Sequence, residues 1–180
     1  MEEARIHIRY GVAADNTLLA QLGTRTFFDS FAAANTPENT AAYLAKSFGP
    51  EKQAAELAEP LSVFLIAEID GAAAGFARLK EGQAHPAVSG VRPTEIVRIY
   101  ACREWIGHGV GSALMRACLS EAEQRGCDVV WLGVWEHNPR AQAFYRKWGF
   151  EAVGTQLFML GDDPQTDLVM QRPVKNLQNQ

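Results

Sequence analysis

The sequence has no excess of positive charge, no long apolar run and few residues that bind metals. Seventeen basic residues stand against 21 acidic ones, a net charge of −4, so nothing draws the chain as a whole to nucleic acid, and cationic partners are mildly favoured. No apolar stretch approaches the roughly 18 residues a membrane-spanning helix needs. The opening MEEARIHIRY is acidic and lacks the basic and apolar regions of a secretory leader. The expectation is a cytoplasmic protein that contacts neither membrane nor nucleic acid. The cysteines, Cys102, Cys118 and Cys127, are odd in number, and neither they nor the scattered His7, His85, His108 and His137 have the spacing of metal ligands. Buried thiols are expected, with no disulfide framework and no metal. Linkers, repeats and low-complexity segments are also missing. The 180 residues, 47% hydrophobic and 21% charged, therefore read as one globular domain over 1–173 with a polar tail over 174–180.

The hydrophobic periods give the elements. RIHIRYG alternates like a half-buried strand, and from about Asp15 to Phe31 the spacing of Leu18, Leu19, Leu22, Phe27, Phe28 and Phe31 is helical. Thr36-Pro37 reads as an N-cap and first helical residue, and Gly49-Pro50 ends that helix. A further short helix, EKQAAELAE, precedes Pro60. SVFLIAEI and AAAGFARLKE flank Asp70-Gly71, a hairpin signal, and EGQAHPAVSGVRP is the loop to the next strand. In TEIVRIYA, simple alternation puts Glu95, Val97, Ile99 and Ala101 on one face against Ile96, Arg98 and Tyr100. A helix whose buried face holds Val110, Leu114, Ala117 and Cys118 ends near Arg125 before Gly126. DVVWLGVW reads as a central strand buried on both faces. Asn138-Pro139 opens a helix with Ala141, Phe144, Tyr145 and Trp148 on one stripe, and strand patterns follow at FEAVGTQLFML and TDLVMQR. The order β-α-α-β-β-β-α-β-α-β-β implies a single-domain α/β fold with a mixed central sheet and one parallel β-helix-β crossover.

The crossover begins with WIGHGVGSALM, where Gly107, Gly109 and Gly111 lie between strand and helix. Such a turn leaves N–H groups unpaired at the positive end of a helix, an arrangement suited to phosphate or pyrophosphate. It is not a nucleoside triphosphatase loop, because GxxxxGKS/T needs a lysine where this chain has Ser112-Ala113. The dinucleotide pattern GxGxxG also fails, since its third glycine would fall on Ser112 or Leu114.

IGHGVG is similar to the Gln/Arg-x-x-Gly-x-Gly/Ala turn of the GNAT superfamily of acyl-CoA-dependent N-acyltransferases, with Ile106 in the Gln/Arg position. A second, separate stretch, HNPRAQAFYRKWGFEAVG, resembles the family's closing segment NxxAxxFYxKxGF through Asn138, Ala141, Ala143, Phe144, Tyr145, Lys147, Gly149 and Phe150. WLGVWEHN, AFYRKWGF and FMLGDDPQTDLVM look most like the bacterial spermidine/spermine N-acetyltransferase branch. The resemblance implies acetyl-CoA as cosubstrate and a small-molecule amine as acceptor, best a polyamine, attacked directly without a covalent enzyme intermediate. A peptide N-terminus or another amine is the alternative acceptor. A non-catalytic acyl-CoA-sensing module, motivated by Ile106 and Arg103, is the alternative class. A homodimer is a candidate assembly.

The resemblance also implies residue roles. Acetyl-CoA would lie between the strands at 94–101 and 128–135, on backbone groups of Ile99, Tyr100 and Ala101, with its pyrophosphate on the backbone from His108 through Gly109, Val110 and Gly111 to Ser112. Asn138 is a cofactor contact or simply a helix N-cap. Tyr145 would protonate the departing thiolate, although by spacing alone it belongs to an apolar stripe. A protonated amine needs a base, and Glu95 is preferred over Glu136. The acceptor pocket is assigned to the first helices, at Phe28, Asp29, Phe31 and Tyr43. Asp162, Asp163 and Asp167 could attract a polycation or simply be solvated, and Trp131 and Trp135 read as core.

Overall fold

The computed structural model describes residues 5–174. β1 (Ile6–Tyr10) is followed by α1 (Asn16–Phe31), α2 (Pro37–Ser47) and α3 (Pro50–Leu57). The hairpin of β2 (Ser62–Ile69) and β3 (Ala72–Glu81) comes next, then β4 (Pro93–Ala101), α4 (Val110–Gln124), β5 (Val129–Trp135), α5 (Pro139–Lys147), β6 (Glu151–Leu160) and β7 (Asp163–Pro173). All seven strands form one sheet in the order β1-β2-β3-β4-β5-β7-β6. β4 and β5 pair parallel and every other neighbouring pair is antiparallel, as the single crossover requires. The tail expected over 174–180 lies outside the described residues from 175 onward. Among the described residues no helix is long and apolar enough to cross a membrane.

The α/β fold read from the sequence holds, with one helix more than its element string counts. Gly49-Pro50 ends α2 and also starts α3, with Gly49 as N-cap and Pro50 in the first turn, because proline needs no N–H there. The Thr36 hydroxyl accepts from the Asn39 N–H at 3.2 Å. Asp70 and Gly71 both have positive φ, 52° and 78°, the conformation a tight two-residue hairpin needs. Helices cover both faces of the sheet. On one, Val63, Leu65, Leu79, Ile96, Val130, Leu132 and Met170 pack against Val110, Leu114 and Cys118 of α4 and Phe144 and Tyr145 of α5. On the other, Phe64, Ile66 and Phe76 pack against Leu19, Leu22 and Phe27 of α1, with Phe48, Tyr43 and Leu57. The three cysteines are buried and free.

Candidate active site

β4 and β5 are paired only from Pro93 opposite Val129 to Glu95 opposite Trp131. Beyond that point β4 stays with β3 and β5 stays with β7, so the two strands part and leave a wedge. Its origin lies in β4. Arg98 opposes Arg78 and Ile96 opposes Leu79, which makes Val97 an extra residue, a bulge that bends its strand. From residue 96 to Ala101, β4 therefore offers an unpaired backbone edge to the wedge, and Ile99, Tyr100 and Ala101 are part of it.

The bulge also corrects the faces read from alternation. Residues directly opposed across an antiparallel pair point the same way. Glu95 opposes Lys80, Arg98 opposes Arg78 and Tyr100 opposes Phe76, so these three share the face covered by α1–α3. Ile96, Ile99 and Ala101 share the α4 face instead. Glu95 therefore does not lie with Ile99 and Ala101.

The glycine turn closes one end of the wedge. Gly109 is the N-cap of α4 with φ 87°, a left-handed conformation that disfavours any other residue. The first helical bond runs from the Ala113 N–H to the Gly109 carbonyl at 2.9 Å. The N–H groups of Gly109, Val110, Gly111 and Ser112 consequently have no partner among the described residues. His108 differs from expectation: its N–H is spent on the Trp105 carbonyl at 3.2 Å, and its exposed ring stands edge-on to Trp105 at 5.8 Å. Four convergent amides at a helix N-terminus, beside an open strand edge, fit a pyrophosphate with an amide-bearing arm. Ile106, 36% exposed, adds no polar group.

Tyr145 packs with the α4-side core, its ring 5.6 Å from Phe144 and 6.0 Å from Phe150. Its hydroxyl has no hydrogen-bond partner among the described residues. Burial pushes the phenol above its ordinary range, and the nearby Cys118 thiol adds to this. Asn138 is a helix cap: its Oδ1 accepts from the Ala141 N–H at 3.2 Å, which leaves its amide NH₂ free.

The expected bases stand apart from Tyr145. Glu95 lies among Arg78, Lys80 and Arg98; burial raises its carboxyl and these cations pull it back. The same cluster anchors α3, where Glu56 takes two bonds from Arg98, at 2.6 and 3.0 Å, and pairs with Arg78 at 3.3 Å. Glu136 is exposed at the end of β5, 3.5 Å from His137.

The four residues assigned to the acceptor divide into two groups. Phe31 and Tyr43 stack on Phe27, with ring centroids at 4.8 and 4.4 Å, and Phe31 stands edge-on to Tyr100 and Trp135, each at 6.4 Å. Phe28 and Asp29 fall on another side of α1, along an open groove of about 510 Å³ that neither Phe31 nor Tyr43 lines. Trp131 is core, whereas Trp135 is half-buried in this aromatic group.

Sequence reasoning undervalued Asp167. It opposes Trp135 on β5 and Gln156 on β6, is 8% exposed, and reaches over Gly133, where an added Cβ would sit 3.0 Å from its Oδ2. Burial pushes its carboxyl up to about 6, against a hydrogen bond from Gln156 that lowers it. Tyr43 and Tyr100 both feel its charge, and Tyr100 also neighbours Tyr145. A signal was present. Asp167 stands two residues from Val169, the apolar member of a row that otherwise holds Asp163, Gln165 and Gln171, while the other row carries Leu168 and Met170.

A model of the acetyltransferase (GNAT) family matches residues 26–150. An uncharacterized N-acetyltransferase of the pepI 3′ region of Lactobacillus delbrueckii subsp. lactis is 34% identical over 151 residues, 84% of this chain and 87% of the relative. One from Mycobacterium bovis is 35% identical over 154 residues, 86% of this chain and 94% of the relative. Among solved structures, the PaiA N-acetyltransferase of Thermoplasma acidophilum in complex with coenzyme A superposes with a TM-score of 0.74 at 20% identity, over 94% of this chain and 99% of that one.

Proposed function

This chain belongs to the GNAT acetyltransferase family and is an acetyl-CoA-dependent N-acetyltransferase, and from that premise we propose that its acceptor is a primary amine of a small polyamine such as spermidine or spermine. The observation that carries this reading is the polar row on β7. Asp163, Gln165 and Asp167 alternate on the face that α1 and α2 cover, opposite Leu160, Phe158 and Gln156 of β6. At about 3.4 Å per residue, the two carboxylates are on the order of 13 Å apart along the strand, a span that an extended polyamine covers with a cationic nitrogen near each. Gln165 joins the row by donating to Asp163 at 3.0 Å and to Asn35 at 2.7 Å. Phe31, Tyr43 and Trp135 supply aromatic faces that favour an alkylammonium.

The cosubstrate supplies an activated acetyl thioester. The amides of Gly109, Val110, Gly111 and Ser112 hold its pyrophosphate, the β4 edge at Ile99, Tyr100 and Ala101 pairs with its amides, and the NH₂ of Asn138 is a further donor. Tyr145 is the proton donor to the departing sulfur. Burial keeps the phenol protonated, so its proton is in place when the sulfur departs.

The test is a thiol-release assay with acetyl-CoA over spermidine, spermine, putrescine, butylamine, amino acids, aminoglycosides and peptide N-termini. Spermidine or spermine should exceed butylamine in kcat/KM by at least tenfold. Best turnover on a peptide N-terminus, or equal turnover of butylamine, would reject the polyamine assignment.

A further inference from the structure

We propose that Asp167 receives the acceptor's ammonium group and removes its proton, serving as the base of the reaction in place of Glu95. The inference rests on the amine N-acetyltransfer reading but not on the acceptor being a polyamine.

Its first support is the absence of a counter-ion. The buried carboxylates among the described residues are Asp15, Glu56, Glu121 and Asp167. Asp15 pairs with Arg9 at 2.9 Å, Glu56 with Arg98 at 2.6 Å and Glu121 with Arg125 at 2.7 Å. Asp167 has no such partner, only the Gln156 amide. A buried carboxylate without a cation is costly, and one kept in a site needs a use. An incoming ammonium supplies the missing charge.

Its surroundings match that ligand. Trp135 of β5 and Gln156 of β6 stand opposite it, its charge reaches Tyr43 of α2 and Tyr100 of β4, and Phe31 of α1 stands edge-on to Trp135. The titratable neighbours, Tyr43 and Tyr100, are phenols pushed above their ordinary range and therefore uncharged. Arg98, which Tyr100 also feels, is already bonded to Glu56. Gly133 clears the space, since a side chain there would meet both Gln156 and Asp167. Asp167 lies on the face that α1 and α2 cover and Tyr145 packs on the α4 side, so the base and the acid belong to opposite faces of the sheet. Around Glu95, by contrast, the charges of Arg78, Lys80 and Arg98 oppose the rise that burial gives its carboxyl.

The protons balance. The Asp167 carboxylate takes one proton from the ammonium, and the freed nitrogen lone pair forms the N–C bond. The C–S bond breaks with its electron pair going to sulfur, which takes the Tyr145 proton. The second nitrogen proton replaces the one Tyr145 gave up, and Asp167 releases its own to solvent. Ammonium and thioester thus become amide, thiol and one proton.

A carboxylate that titrates near 6 is ionised at neutral pH yet basic enough to accept a proton. The wild-type kcat/KM for the amine should therefore be bell-shaped, with an acid limb near pH 6, where Asp167 must be ionised, and an alkaline limb at the amine's own pKa. The assay uses whichever panel amine turns over fastest, so failure of the polyamine assignment leaves it intact. In Asp167→Asn, kcat should fall at least a hundredfold with acetyl-CoA affinity by calorimetry within threefold, and the remaining activity should rise with pH without the acid limb. Gln156→Leu removes the bond that lowers the carboxyl and should move the acid limb upward, while Glu95→Gln should retain it. An acid limb that survives in Asp167→Asn, or one lost in Glu95→Gln, overturns the proposal.

Discussion

Replacing Asp167 by asparagine should make the protein more stable as it makes the enzyme slower. Burial moves this carboxyl from 3.8 to about 6, so between those values the folded chain binds more protons than the unfolded one. Stability then falls as pH rises through that window and is level above it. Each tenfold change in proton affinity is worth about 1.4 kcal/mol, so the unpaired charge costs the fold roughly 0.5 kcal/mol near pH 4 and about 3 kcal/mol at pH 7. Asparagine keeps the shape and carries no charge. The assay is urea denaturation of both proteins at several values from pH 4 to 8, reading their difference so that other titrating groups cancel. The variant should be nearly equal to wild type at pH 4 and more stable by roughly 2–3 kcal/mol at pH 7, about 4–12 °C in melting temperature for a chain of this size. A variant less stable than wild type at pH 7, or a difference that does not grow with pH, would refute the view that Asp167 is a buried charge waiting for a partner.

Tyr145→Phe should lower kcat by roughly 10²–10⁴ and leave acetyl-CoA affinity within a fewfold, read by steady-state kinetics and calorimetry. Gly111→Leu should abolish acetyl-CoA binding with an unchanged circular dichroism spectrum, whereas Gly111→Ala should bind nearly as wild type, because its Cβ meets only the Phe144 ring at an ordinary 3.6 Å. Glu56→Gln leaves Arg98 buried without its carboxylate and Arg78 with Glu59 alone, and should cost about 3–5 kcal/mol in urea denaturation, since the Glu56–Arg98 pair also fastens α3 to the sheet.

Much of this was readable from short-range rules. Thr36-Pro37, Asp70-Gly71, Gly109 and Gly126 each mark the backbone position where the structure ends or begins an element, because cap and turn chemistry is decided within a few residues. The faces of β4 were not readable. Val97 is expelled as β4 follows β3 and leaves β5, a decision made by two neighbouring strands, and one extra residue sends Glu95 to the opposite side. The adjacent Phe27 and Phe28 leave the phase of α1 open in the sequence, and packing decides it by turning Phe27 inward and Phe28 to the open groove. The value of Asp167 depends on Gly133 and Gln156 from two other strands, which no local pattern connects.

A crystal structure of the enzyme with coenzyme A and its best amine decides where each group sits. Pyrophosphate oxygens should lie within hydrogen-bond distance of the amides of Gly109, Val110, Gly111 and Ser112, sulfur beside the Tyr145 hydroxyl, and the amine nitrogen within hydrogen-bond distance of the Asp167 carboxylate. An amine bound in the Phe28 and Asp29 groove, or bonded to Glu95 with Asp167 out of reach, would contradict this placement.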